Sequence, residues 1–469
     1  MMTNMWPLAI QPYAVQLEAL KRSQGRKHFA YFMEMGLGKT ALILAEYVSL
    51  VQQGLVDNLL VICPNSLKGV WLDEMDKVGF PPNITRGAWP NTMHWLNSPG
   101  TSILIQESVI VMNYEACITN NGNLFMTKFL SQSRTMLVID ESTQIKNPRA
   151  RRTRALIGAC KSATYVRLLS GQPIVQGPHD LWSQLRCLNE FSGLNYYVFR
   201  NIFCQMGGFM GKQVMGANPG QVATLNGILS RVSFRAKKDE WLDLPKQIYT
   251  TRNVTMTKEQ EKHYKQMKEF LLTMIANQEI DAQMVVTQML KLQQISSGFI
   301  IDAKHEVHDI PGGNPKLALL DEIMEEASGK TLIFTHFRAS TRNVVNHLIK
   351  LEPAVIEGGM TPEELRAQRD RFDKETQCRV LVCQVQTGKY GLTLLGGPGE
   401  DRCATTVFYE NSFSLDSRIQ AEARNHRIGQ DKPVLYIDLP ASDIERVVVR
   451  ALHKKQDVAT AIIDYAAAA

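Results

Sequence analysis

The sequence predicts an α/β protein, with two doubly wound parallel-sheet domains and a helical insertion between them. Three observations carry that reading. Short apolar runs alternate with longer amphipathic stretches over 29–174, and the same rhythm returns over 330–409. A glycine turn of phosphate-loop type separates run from stretch in the first of these halves only. Between the halves the pattern shifts to long helical stretches, broken by a glycine-rich loop at 206–220. A chain of 469 residues is too long for one hydrophobic core. The expected domains are therefore 1–180, 181–311 and 312–469.

Taken in order, Pro12-Tyr13-Ala14-Val15-Gln16-Leu17-Glu18-Ala19-Leu20 carries apolar residues at helical spacing. Gln16 is either a surface glutamine or, as donor and acceptor together, a partner for an adenine. Phe29, Tyr31 and Phe32 open a buried strand that runs into Met33-Glu34-Met35-Gly36-Leu37-Gly38-Lys39-Thr40, and a helix follows from Ala41. Gly36 and Gly38 let the backbone close on an anion with no Cβ in the way, and the helix start offers N–H groups to phosphate oxygens. Lys39 would reach the β/γ-phosphates and the Thr40 hydroxyl would ligate Mg²⁺. Met33 stands where such loops commonly carry another glycine, so the turn needs a partner motif.

That partner is Met136-Leu137-Val138-Ile139-Asp140-Glu141, an apolar run ending in two carboxylates. A buried parallel strand delivers such a pair to its C-terminal edge. Asp140 is placed to hold the Mg²⁺ shell, and Glu141 to orient and deprotonate a water. The two motifs together predict a nucleotide hydrolase using Mg²⁺.

Other strands are expected at Leu59-Leu60-Val61-Ile62-Cys63, at Val109-Ile110-Val111-Met112 and at Tyr165-Val166-Arg167-Leu168-Leu169. Ser66 and Lys68 open a helix containing Trp71, where they suit a phosphate. Arg149, Arg151, Arg152 and Arg154 form either a solvated helix face or a row of DNA-phosphate contacts. In the middle segment Met267, Met274, Met284 and Met289 read as core packing. Pro311-Gly312-Gly313-Asn314-Pro315 marks a boundary. Beyond it, strands are expected at 330–337, 354–356, 380–383 and 407–409, with Thr361 capping a helix that has Pro362 in its first turn. Gln420, Arg424 and Arg427 fall at i, i+4 and i+7, which would put a glutamine and two guanidinium groups on one helix face. Such groups suit the charge developing on a γ-phosphate.

The composition is that of an ordinary globular enzyme, 44% hydrophobic and 21% charged, and the net charge of +6 suits a polyanionic partner. Eight scattered cysteines with no Cys-x-x-Cys pair argue against zinc and for reduced thiols. Neither a signal-type N-terminus nor a membrane-length apolar window is present, so a soluble, cytoplasmic protein with no membrane partner is expected.

The chain resembles the Swi/Snf family of DNA-dependent ATPase motors, built on two RecA-like lobes, through stretches that occur in the family's order. They are Gln16-Leu17-Glu18-Ala19-Leu20, Glu34-Met35-Gly36-Leu37-Gly38-Lys39-Thr40, Cys63-Pro64-Asn65-Ser66-Leu67, Asp140-Glu141, Ile145-Lys146-Asn147, Gly171-Gln172-Pro173-Ile174 and Leu181-Trp182-Ser183-Gln184-Leu185. The stretch 388–394 and Arg424-Asn425-His426-Arg427-Ile428-Gly429-Gln430 complete the set. Ser142 and Thr143 stand where the family has Ala-His or Ala-Asp, Gln172 where it has Thr, and Gln386, Lys389 and Tyr390 alter its second-lobe glycine loop.

The resemblance implies ATP contacts at Gln16, Gly36, Leu37, Gly38, Lys39, Thr40 and Gln420, and metal contacts at Thr40 and Asp140. It implies catalysis by Lys39 and Glu141, with Arg424 and Arg427 supplied from the second lobe. Candidate DNA contacts are Ser66, Lys68, Asn113, Lys146, Phe337, Gly358 and Lys389. The compact form is similar to the fork-remodelling, strand-annealing branch or to a phage-borne minimal motor. The expected activity is monomeric, ATP-dependent translocation on double-stranded or branched DNA. A strand-separating DNA or RNA helicase and an ATP-latched DNA-binding protein are the alternatives.

Overall fold

The computed structural model describes residues 6–91, 107–207, 213–276, 282–390 and 392–454. The chain divides into two compact units, Met1–Asp243 and Leu244–Ala469. Unit 1 contains the strands β1 (His28–Met33), β2 (Asn58–Cys63), β3 (Thr85–Ala88), β4 (Ser108–Asn113), β5 (Thr135–Asp140) and β6 (Tyr165–Leu169). It continues with β7 (Cys204–Gly207), β8 (Gln213–Ala217) and β9 (Ser233–Ala236). Seven of these form one parallel sheet in the order β3-β4-β2-β5-β6-β1-β9. Every residue of β2 and β5 is buried, which is why they read as continuous apolar runs rather than alternating ones. Alternate side chains of β1 face two different layers: Phe29, Tyr31 and Met33 pack in one, Ala30 and Phe32 in the other.

Three helices matter for the site: α1 (Ala14–Ser23), α2 (Lys39–Gln52) and α3 (Lys68–Lys77). A buried ion pair clamps α2 to the sheet. The guanidinium of Arg167, from β6, gives Glu46 of α2 bonds of 2.7 to 3.1 Å, and its other N–H groups go to the carbonyls of Arg26, Lys27 and Val166. Tyr31 and Ser23 donate their hydroxyls to the same carboxylate. Burial works against the Arg167 charge, and the Glu46 carboxylate outweighs it, holding the guanidinium more basic than usual.

Unit 2 contains β10 (Gln247–Thr251), β11 (Phe299–Ile301), β12 (Val307–Asp309), β13 (Thr331–Thr335), β14 (Ala354–Ile356), β15 (Val380–Gln384), β16 (Thr405–Phe408) and β17 (Val434–Asp438). Its six-stranded sheet runs β10-β17-β16-β13-β15-β14, again parallel throughout. Thr361 caps the helix Pro362–Lys374 in a reciprocal pair with Glu364, as the sequence predicts.

Three expectations change. Residues 181–311 are shared between the units: β9 completes the first sheet beside β1, and β10 the second beside β17. The expected loop at 206–220 includes an antiparallel pairing of β7 with β8. The helix carrying Gln420 ends at Glu422, so Arg424 and Arg427 lie on the turns that follow it and not on its face. Asn425 donates to Thr406, and the Gln430 amide to the carbonyls of Cys403 and Asn425. These tertiary bonds pull the chain out of helical register. Met289 is buried as expected, whereas the side chains of Met274, Met284 and Lys389 lie outside the described residues.

Candidate active site

In a parallel sheet every strand delivers its last residue to the same edge, and ligands collect there. At that edge of unit 1, β1 turns through 34–38 into α2, whose first residue is Lys39 and whose N-cap is Gly38. Gly36 and Gly38 both have left-handed φ, +90° and +71°. The left-handed φ of Gly38 strains any L side chain, and a Cβ there would also press on the Gln16 amide. The Lys39 ammonium donates to the carbonyls of Met33 (2.7 Å) and Glu34 (3.3 Å).

Gln16 is buried. Its amide oxygen accepts the Tyr13 N–H at 2.8 Å and its Nε2 donates to the Gly38 carbonyl at 2.9 Å. The surface-glutamine alternative is thereby removed: α1 seats the phosphate loop through this side chain. On the other side the loop is tied to β9, for the Glu34 N–H donates to Ala236 and its carboxylate accepts the Lys238 N–H.

Asp140 ends β5 and is buried. Its Oδ1 accepts the Glu141 N–H at 2.9 Å and its Oδ2 accepts the indole N–H of Trp71 at 3.0 Å. Burial raises the carboxyl's pKa, while the Trp71 bond, the Lys39 charge and the Glu141 N–H oppose it. Glu141 adopts left-handed φ, +53°, and its carbonyl and that of Asp140 share the Tyr114 hydroxyl. Ser142 donates to the Gln184 amide oxygen at 2.8 Å, and Gln184 donates onward to the Pro173 carbonyl at 2.8 Å. The unusual residue after the acid pair thus joins that pair to the 170–173 turn. The same turn flanks the phosphate loop, since a Cβ on Gly171 would lie 3.5 Å from Met35 N. Sequence reasoning missed the roles of Trp71, Tyr114, Glu34 and the Ser142–Gln184 link.

The donor set fits magnesium and a nucleoside triphosphate: a glycine cradle at a helix N-terminus, a lysine and threonine at its start, and a buried carboxylate ending β5 at the same sheet edge. The described cysteines are all buried and free.

The DNA candidates also fall at C-terminal edges. Ser66 follows β2, Asn113 ends β4, Phe337 follows β13, Gly358 follows β14 and Lys389 follows β15. Several are already engaged within the chain. Lys68 Nζ donates to the Trp89 carbonyl at 3.0 Å, Asn113 to Glu115 at 2.8 Å, and the Phe337 N–H to Glu410 at 3.3 Å. Lys146 follows the 3₁₀ turn Ser142–Ile145 after the acid pair and is half-buried. In unit 2, Arg424 is buried and donates to the Leu392 carbonyl, while Arg427 and Gln420 are half-buried.

Residues 30–298 match the SNF2-related domain and residues 315–429 the helicase conserved C-terminal domain. The chain belongs to the SNF2-related family. Its two matched domains make it a helicase-like ATP hydrolase by class. Similar proteins include a Caenorhabditis elegans homologue of SWI/SNF-related matrix-associated actin-dependent regulator of chromatin subfamily A-like protein 1. It is 27% identical over 86% of this chain and 54% of its own length. The human DNA annealing helicase and endonuclease ZRANB3 is 24% identical over 85% of this chain and 35% of its own length. The chain thus spans about half, or less, of these curated relatives. Among solved structures, the Sulfolobus solfataricus SWI2/SNF2 ATPase core in complex with dsDNA is 22% identical with a TM-score of 0.43, over 97% of this chain and 93% of that one. Among the described residues no helix of this SNF2-related chain is long and apolar enough to cross a membrane.

Proposed function

We propose that the chain is an ATP-dependent double-stranded DNA translocase that remodels branched DNA, by fork regression, branch migration or strand annealing. The observation that carries this reading is the shared edge. The glycine cradle, Lys39, Thr40, Asp140 and Glu141 stand at the C-terminal edge of one parallel sheet, where Ser66 and Asn113 also stand. A duplex backbone tracked along that edge would lie beside the nucleotide, so hydrolysis and grip on DNA share the same loops. A relative named as a DNA annealing helicase supports the strand-annealing part of this reading.

In this reading Gln16, Gly36, Leu37, Gly38, Lys39 and Thr40 hold the nucleotide, with Gln420 contributing from unit 2. Thr40 and Asp140 hold Mg²⁺, which when bound neutralises charge on the phosphate oxygens. Glu141 takes a proton from the attacking water, and Arg424 and Arg427 stabilise the charge on the transferred phosphoryl group. Ser66, Lys68, Asn113, Lys146, Phe337, Gly358 and Lys389 contact the DNA backbone.

The test is steady-state ATP hydrolysis with duplex, forked or single-stranded DNA or RNA, with Glu141→Gln as the blank. Duplex or forked DNA should stimulate strongly, and DNA affinity should fall with salt at a log–log slope of about −0.9 per phosphate contacted. Stimulation by single strands or RNA alone would replace the translocase by a strand-separating helicase. No stimulation would leave an ATP-latched DNA-binding protein.

A further inference from the structure

The proposed DNA contacts and the proposed metal ligand of unit 1 are joined by one side chain. Helix α3 begins at Lys68, immediately after the 65–67 turn that carries Ser66. One helical turn further on, Trp71 is 1% exposed, and its ring packs in the core layer with Val61, Cys63, Leu67 and Met75. Its indole N–H donates at 3.0 Å to Oδ2 of Asp140. A buried indole needs an acceptor, and a tightly packed one cannot follow a moving helix by changing rotamer. Any displacement of the start of α3 must therefore move the Asp140 carboxylate or stretch this bond. Asp140 keeps lone pairs for a further ligand, since each of its oxygens has one described donor.

We propose that Trp71 is a positioning residue that transmits duplex contact at the start of α3 to the metal-holding carboxylate of Asp140. The inference rests on the reading above, which supplies the roles of Ser66, Lys68 and Asp140. It adds the link between them and makes that link a single hydrogen bond. Because coupling is reciprocal, the same bond makes Mg²⁺–nucleotide tighten the grip on duplex.

The experiment is equilibrium binding of a fluorescent, non-hydrolysable ATP analogue to the full chain, across a Mg²⁺ titration, with and without saturating duplex. Trp71→Phe keeps the aromatic packing and removes the donor, and Met75→Leu alters the same buried helix face without touching the bond. In the wild type, duplex should tighten nucleotide binding at least about fivefold, the lower end of ordinary coupling. In Trp71→Phe that ratio should fall toward one, and the Mg²⁺ midpoint should rise roughly tenfold, the lower end of what losing the partner that orients a metal-holding carboxylate costs. Met75→Leu should keep both. A coupled wild type whose ratio and midpoint persist in Trp71→Phe overturns the link alone. A wild type whose nucleotide affinity ignores duplex overturns the link and the duplex-dependent reading together. Should Trp71→Phe fail to fold, the Trp71 indole N–H resonance of the wild-type protein decides. It should shift on adding duplex without nucleotide, and a resonance that stays fixed overturns the proposal.

Discussion

In unit 1 the loop after β1 opens α2 with Gly36, Gly38, Lys39 and Thr40, and Gln16 seats it from behind. In unit 2 the loop after β13 opens the helix Arg338–His347 at a similar place in its own sheet, and there the chain supplies its own anion. Buried Glu410 accepts the N–H groups of His336 at 2.8 Å and Phe337 at 3.3 Å, and the Ser340 hydroxyl donates to its other oxygen. A helix start attracts negative charge in either case. Under the proposed function unit 1 presents it to a nucleotide, whereas unit 2 satisfies it internally. The units also anchor their site segments in mirrored ways. Glu46 on α2 meets Arg167 on a strand, whereas Arg418 on the helix Leu415–Glu422 meets Asp438 on β17. The same fold can thus leave one helix start open in the proposed site and close the other with a carboxylate from its own sheet.

The largest expected effect breaks that division of labour. Under the proposed mechanism Arg427 contributes charge to the transition state and not to the cradle. Arg427→Ala should slow hydrolysis roughly 10³-fold or more while leaving equilibrium nucleotide binding in place. Single-turnover rates beside binding isotherms measure both. A variant that lost affinity and rate in parallel would make Arg427 part of the cradle and erase the contrast between the units.

Next in size is the anchor of α2. Glu46→Ala leaves the Arg167 guanidinium buried without its carboxylate, while the Tyr31 and Ser23 hydroxyls keep each other and the Leu20 carbonyl as partners. Removing one partner of a buried pair costs about 3–5 kcal/mol, to be read as a fall in unfolding free energy in urea. A loss under about 1 kcal/mol, the scale of an exposed pair, would show that the clamp contributes no more than a surface bridge.

The parts of this architecture that are legible in the sequence are those written in short-range code. Lys39 and Thr40 follow their glycines directly, and Asp140 and Glu141 follow their strand directly, so strand and motif announce each other. Trp71 meets a partner 69 residues away, and its one local sign is a large side chain with an N–H that must be satisfied wherever it is buried. Arg167 carried a similar sign, an arginine within the apolar run of β6, which implies a buried counter-charge that nothing in the run itself identifies. The edge strand β10 alternates little and is mostly exposed, so no periodicity marks it off from the expected helical insertion. For Arg424 and Arg427 the helical spacing was real, but the bonds of Asn425 and Gln430 to β16 and its approach outweigh helix propensity.

The smallest effect is the acid response of the unit 2 anchor, and it sharpens the comparison by isolating the charge in that ion pair. Asp438 is buried, which by itself would raise its pKa. The Arg418 charge, the His453 bond and the bonds from Arg418 and Asn411 overcome that and hold the carboxyl at about 2, below its ordinary 3.8. A carboxyl that titrates lower when folded than when unfolded stabilises the fold fully above the unfolded value and loses that contribution as pH falls through the folded one. The Asp438 contribution, on the order of 2 kcal/mol, should therefore be intact at pH 5 and disappear between pH about 4 and about 2. Asp438→Asn should flatten that limb of the stability–pH curve. If the limb survives in Asp438→Asn, the acid sensitivity lies in other carboxylates and the Arg418–Asp438 anchor is held by packing against Phe408 rather than by charge.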